Sequence, residues 1–127
     1  LQDDDHLTIS LAASSTYEFS LRIFNTTVSA TAGFKMALSG TVGVTSLKAQ
    51  LLIWDDTTNT LAGFARVTAL GSAVGAGLGA GDNYAEIKGT IETSTAGTLL
   101  LQWAQNVADA VNGTTVQRNS VFTLQKI

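Results

Sequence analysis

Apolar and polar residues alternate with a period of two through most of this chain, and that period admits strands and excludes long helices. In "YEFSLRIF", Tyr17, Phe19, Leu21 and Ile23 take one side while Glu18, Ser20 and Arg22 take the other. "HLTISL" aligns Leu7, Ile9 and Leu11; "FKMAL" aligns Phe34, Met36 and Leu38. "LKAQLLIW" aligns Leu47, Ala49, Leu51 and Ile53, and "LAGFARV" follows it. "YAEIKGTIE" sets Ala85, Ile87, Gly89 and Ile91 inward, "TLLLQWAQ" sets Leu99, Leu101 and Trp103 together, and "SVFTLQKI" closes the chain. The spacers "AASST", "SGTVGVTS", "DDTTN", "TSTAG" and "NGTT" carry turn residues. Residues 55–59 join two strands at hairpin distance, and residues 95–97 are read in the same way. One short segment, "NVADAV" at residues 106–111, is a candidate turn of helix or a loop. Eight short strands without a long helix predict an all-β fold, an eight-stranded antiparallel β-sandwich that is jelly-roll-like. With no Cys…Trp…Cys pattern, an immunoglobulin sandwich is disfavoured. Residues 1–127 are read as a single domain, and a first residue of Leu fits a processed product or a piece of a longer chain. The expected core holds Phe19, Leu21, Phe34, Leu51, Ile53, Ile87, Leu101, Trp103 and Phe122.

Composition narrows the function. Charged residues make up 13% of the chain, the net charge is -3, and no two Lys or Arg residues are adjacent. Nucleic acid is therefore not an expected partner, because phosphate binding needs clustered cations. No cysteine is present, so disulfides and thiolate metal sites are excluded. No apolar run approaches the roughly 20 residues of a membrane-spanning helix, and no membrane insertion is expected. Few charges leave a surface of Ser, Thr, Asn, Gln and Ala, which suits packing against other protein.

The glycine run "SAVGAGLGAGDN", with Gly75, Gly77, Gly79 and Gly81, invites a phosphate-loop reading. A strand rather than a helix follows it, and no GK[ST] appears, so it is read instead as a long loop at one end of the sandwich. "QDDDH" is the densest acidic cluster; Asp3, Asp4 and Asp5 lack the D-x-D-x-D spacing of a calcium loop and are read as a solvated lead-in. Asp55 and Asp56 are turn residues first and ligands second. His6 is the only histidine, no G-x-S-x-G occurs, and Glu18, Glu86 and Glu92 have no spacing that marks a glycosidase pair. No catalytic residue, cofactor or metal site is expected. Triplets of the form N-x-[ST] stand at Asn25 and Asn112 and carry no weight. The aromatic residues say more. Trp54 and Leu52 fall on the parity opposite their strand's apolar face, as do Phe24, Phe64, Leu100 and Val121. A two-sheet sandwich hides one face of each sheet, so apolar residues on both faces imply a covering partner. Leu52, Trp54, Phe64, Leu100 and Val121 are accordingly the candidate oligomer interface.

The order "LQDDDHLTISLAASSTYEFSLRIF", "GFKMALSG", "GTIETSTAGTLLLQWAQN", "TTVQRNSVFTLQKI" resembles a widespread domain of tailed-bacteriophage virion surface proteins. In that group an L-Q-x-D-D lead-in precedes A-x-x-T-(Y/W)-x-F, and a late A-G-T-L-x-(L/F)-Q-(W/F)-A-Q-N precedes a final strand. The resemblance spans nearly the whole chain, carries no catalytic residue, and leaves residues 72–81 unmatched. It implies a non-enzymatic structural protein exposed on the head or tail of a virion, as a capsid decoration, head fibre or tail-fibre tip. It also implies a homotrimer, with capsid or tail proteins as further partners. The alternatives are a host-receptor module, such as a receptor-binding tip taking a host-surface glycan, a carbohydrate-binding module of a secreted bacterial enzyme, and, behind these, a hydrolase.

Overall fold

The computed structural model describes residues 1–111 and 113–127. It contains ten strands and, among the described residues, no helix. In chain order they are β1 (Gln2–Leu11), β2 (Thr16–Thr27), β3 (Phe34–Gly40), β4 (Gly43–Asp55), β5 (Thr60–Val67), β6 (Ala73–Ala76), β7 (Gly81–Thr95), β8 (Gly97–Ala104), β9 (Thr114–Val116) and β10 (Val121–Lys126). All pairings are antiparallel. One sheet has the order β1-β8-β3-β6; the other runs β10-β2-β7-β4-β5, with β9 also pairing β2. The facing quartets 1-8-3-6 and 2-7-4-5 are the connectivity of a jelly roll, which wraps two Greek keys around one core.

Eight strands do build the roll, but they are not the eight read from periodicity. Residues 73–76, inside the glycine run, form β6 and pair with β3 from Phe34↔Ala76 to Ala37↔Ala73. The last segment, β10, lies outside the roll as an added edge strand on β2. The hairpin between β4 and β5 is present, with Leu52↔Phe64 and Trp54↔Leu61 and a bulge between Ile53 and Trp54. Asn59 takes φ 54° in its turn, a conformation Asn tolerates better than most residues. Residues 95–97 do not make the second expected hairpin. They carry the chain from one sheet to the other, so β7 and β8 never pair. The segment 106–111 is a bend, not a helix. The Gln105 side chain takes its backbone bonds, donating to the Asp109 carbonyl and accepting from the Asp109 N–H. Asn112, beside it, lies outside the described residues.

The inward faces of the two sheets make one core. Phe19, Leu21, Phe34, Leu51, Ile53, Ile87 and Leu101 are buried as expected, with Ile23, Met36, Ile91 and Leu99. Trp103 and Phe122 are only half-buried. Trp103 turns its indole N–H outward to the Asp4 carboxylate at 3.1 Å, since a buried indole needs an acceptor. Phe122 sits on the edge strand β10, where its ring leans on Phe19 at 6.4 Å between centroids.

At one end of the core the inward row becomes polar. Asn25, Asn83 and Asp55 follow one another across β2, β7 and β4, with Thr27 beside them. These side chains hold the segment between β6 and β7. The Asp55 carboxylate accepts from the Gly79 N–H at 3.1 Å and from the Thr57 N–H at 3.0 Å. The Gly79 carbonyl accepts from Thr27 Oγ1 at 2.9 Å and Asn83 Nδ2 at 3.0 Å. Leu78, next to it, is 2% exposed and plugs the end of the core. A Cβ on Gly79 would overlap the Thr57 hydroxyl, so glycine is required by close approach. The run is neither a phosphate cradle nor slack; it is an edge strand followed by a bolted plug.

Asn25 is the exception in this row. Its side chain is fully buried and neither amide atom has a hydrogen-bond partner. A buried, unpaired amide costs about 1–3 kcal/mol. Asn25→Val is therefore expected to raise stability by about 1 kcal/mol, after a small loss to repacking, read as a higher urea midpoint. An equal fall would show that the amide is bonded. Full burial also withdraws the Asn25 triplet from any glycosylating enzyme in the folded chain.

Candidate interaction face

The outer face of the six-stranded sheet is built from the alternate residues of β2, β7, β4 and β5, and strand register places them in rows. The first row is Phe24, Tyr84, Trp54 and Leu61. The second is Arg22, Glu86, Leu52 and Phe64, with Val121 of β10 opposite Arg22. The third is Ser20, Lys88, Gln50 and Arg66, with Thr123 at its β10 end. The fourth is Glu18, Thr90 and Lys48, with Gln125. Apolar side chains thus dominate one half of the face, with Arg22 and Glu86 among them, and polar side chains fill the other.

In the apolar half, Leu61 is 47% exposed, Phe64 52% and Val121 40%. Leu52, Trp54, Tyr84 and Phe24 are half-buried against one another. The Phe24 and Tyr84 rings lean together at 5.4 Å with a tilt of 49°, a favourable arrangement for aromatic pairs. The Tyr84 hydroxyl donates to Glu86 at 3.1 Å. Burial first, and then the Glu86 carboxylate, push its pKa up to about 12, so it stays a neutral donor at pH 7. Glu86 in turn approaches Lys88 at 3.9 Å.

Four of the five residues expected at an interface, Leu52, Trp54, Phe64 and Val121, share this face. Leu100 does not. It pairs with Thr8 and Ser39 on the outer side of the four-stranded sheet. Parity in the sequence marks a residue as off the core face but cannot say which sheet it leaves. Tyr84 and Leu61 also belong to the patch, brought there by pairing with Trp54.

The polar half is dished. A depression of about 1090 Å³ is bordered by Glu18, Lys48, Gln50, Arg66, Lys88 and Thr90, with Thr123 and Gln125 at one side. Its floor lies over Gly89 and Ala49, small inward residues of β7 and β4, which are paired to each other. A Cβ on Gly89 would overlap the Lys48 carbonyl oxygen, so the two strands approach this closely only because glycine is there.

The acidic lead-in is not loose. Residues 2–5 belong to β1, where Asp3 accepts from the Gln102 side chain at 2.7 Å and Asp4 accepts from His6 and Leu7 N–H groups. Successive carboxylates on an extended strand diverge, and among the described residues no three His, Asp or Glu side chains converge as a metal site. His6 is exposed on β1. The lead-in and the late segment "TLLLQWAQ" meet in space: Gln2↔Trp103 and Asp3↔Gln102 are paired, and the Tyr17 hydroxyl accepts from the Ala12 N–H. They are joints of the roll, linking the lead-in to a strand about 100 residues later. Comparison with known protein families, with characterised proteins and with solved structures yields no match.

Proposed function

We propose that this domain is a non-enzymatic structural domain of a bacteriophage virion surface that assembles as a homotrimer through the apolar half of its six-stranded sheet. The observation that carries the reading is the contiguous row of Trp54, Leu61, Leu52 and Phe64 on an outer face, continued by Tyr84 and Phe24. A lone sandwich has no reason to set a row of aromatic residues and exposed Phe64 and Leu61 against water. Burying such surface returns about 25 cal/mol per Å² of apolar area before the cost of association. A closed ring hides it without leaving a contact that propagates. The virion and the number three rest on the resemblance in "LQDDDHLTISLAASSTYEFSLRIF" and "GTIETSTAGTLLLQWAQN". Capsid or tail subunits are the further partners that such a domain would meet. The absence of proline leaves the edge strands without that form of protection, which suits strands covered by neighbours.

Sedimentation equilibrium at micromolar concentration tests it. The expected species has three times the 13.2 kDa chain mass and survives 1 M salt, because an apolar contact is not screened. A single 13.2 kDa species overturns the trimer.

A further inference from the structure

The polar half of the same face has a separate use. Three of the seven Lys and Arg residues, Lys48, Arg66 and Lys88, border the depression, against one carboxylate, Glu18. This excess of positive charge stands on a chain whose net charge is -3. Lys88 approaches Glu86, whereas Lys48 and Arg66 have no ion-pair partner among the described residues. Between the cations stand neutral hydrogen-bonding groups at fixed strand positions: Ser20, Gln50, Thr90, Thr123 and Gln125. Unpaired cations beside a concave floor form an anion-binding surface, and Arg presents a planar fork suited to a carboxylate.

We propose that this depression binds an acidic oligosaccharide bearing carboxylates, with Lys48 and Arg66 taking the carboxylates and Gln50, Thr90 and Thr123 the hydroxyls. The lining favours a sugar over an acidic peptide. Peptides commonly join a sheet by adding a strand at its edge, where backbone groups are free. This depression crosses the middle of a sheet, and the strands beneath it, β2, β7 and β4, are hydrogen-bonded to neighbours on both sides. The backbone offers nothing there, so the ligand must be read by side chains alone. A chain of rings carrying hydroxyls and regularly spaced carboxylates matches amides, hydroxyls and cations at strand spacing. The site lies beside the apolar rows, not on them, so its residues are distinct from those proposed for the trimer contact.

The test is titration of the full chain with oligogalacturonate of defined length at low salt, followed by calorimetry and by amide chemical shifts. Saturable binding is expected, with shifts centred on Gln50, Lys88, Thr90 and Thr123, and it should weaken as salt is raised. Lys48→Gln and Arg66→Gln are each expected to weaken binding about tenfold, the loss of one charge-assisted hydrogen bond. Lys35→Gln, a lysine on β3 in the other sheet, should leave it unchanged. Lys48 and Arg66 are exposed and Lys35 is partly exposed, and glutamine keeps much of each aliphatic stem, so the variants keep the wild-type fold. No saturable binding at millimolar oligogalacturonate overturns the proposal. So does equal binding of neutral galactan, equal binding of poly-glutamate, or an equal loss in Lys35→Gln.

Discussion

Phe64→Asp is expected to convert the proposed trimer into a folded monomer at micromolar concentration. Phe64 is 52% exposed in the single chain and lies opposite Leu52, in the row next to Trp54 and Leu61. An aspartate there costs the isolated fold little, because its carboxylate stays in water. At an assembled interface it would be a carboxylate taken out of water beside Leu52, with only Arg66 of the next row near it among the described residues, at about 3 kcal/mol or more for each contact. That is a loss of at least about a hundredfold in affinity per contact, enough to empty a micromolar trimer. Val111→Asp, at a position 88% exposed and outside every strand, is the control and should sediment as wild type. Equal masses for wild type and Phe64→Asp would mean that this face is not the contact, even if the wild type is trimeric.

Asp55→Asn is expected to destabilise the fold by about 2–3 kcal/mol at pH 7, and by less as the pH falls. The Asp55 side chain is buried at the end of β4, 9% exposed, and holds both the hairpin turn and the Gly79 plug. The Thr57 hydroxyl is the main cause of a pKa held below the ordinary Asp value; burial opposes it, and the Gly79 and Thr57 N–H groups add to the lowering. A depressed carboxylate pKa means that the folded state prefers the ionised form. Its stabilisation is therefore complete above the unfolded value near pH 3.9 and is lost as pH drops through the folded value. An asparagine turns an N–H pair toward Thr57 or Gly79 where an acceptor is needed. It has no charge to lose in acid, so the urea midpoints of wild type and variant should converge below pH 4. Parallel midpoints from pH 7 to pH 3 would show that the carboxylate is not the clamp.

Parity is a local property, and it was legible. The core faces of β2, β4, β7 and β8 follow from alternation within each strand, as do the outward positions of Trp54, Leu52 and Phe64. The count of short alternating segments, with no long helical pattern, likewise pointed to a sandwich rather than a helical fold. Strand β6 was hidden because Ala73, Val74, Gly75 and Ala76 are too small to show a pattern. It becomes a strand only because β3 offers it an edge and Asp55, Asn83 and Thr27 bolt down the segment behind it. Trp103 looked like a core residue until the distant Asp4 gave its N–H an acceptor near the surface. Leu100 and Leu52 have the same kind of parity, yet they leave the core through different sheets. The depression is the extreme case. Glu18, Lys48, Arg66 and Lys88 come from four separate strands, and no spacing along the chain marks them as neighbours. Alternation settles which way a side chain points; only the pairing of strands far apart in the chain decides what stands next to it.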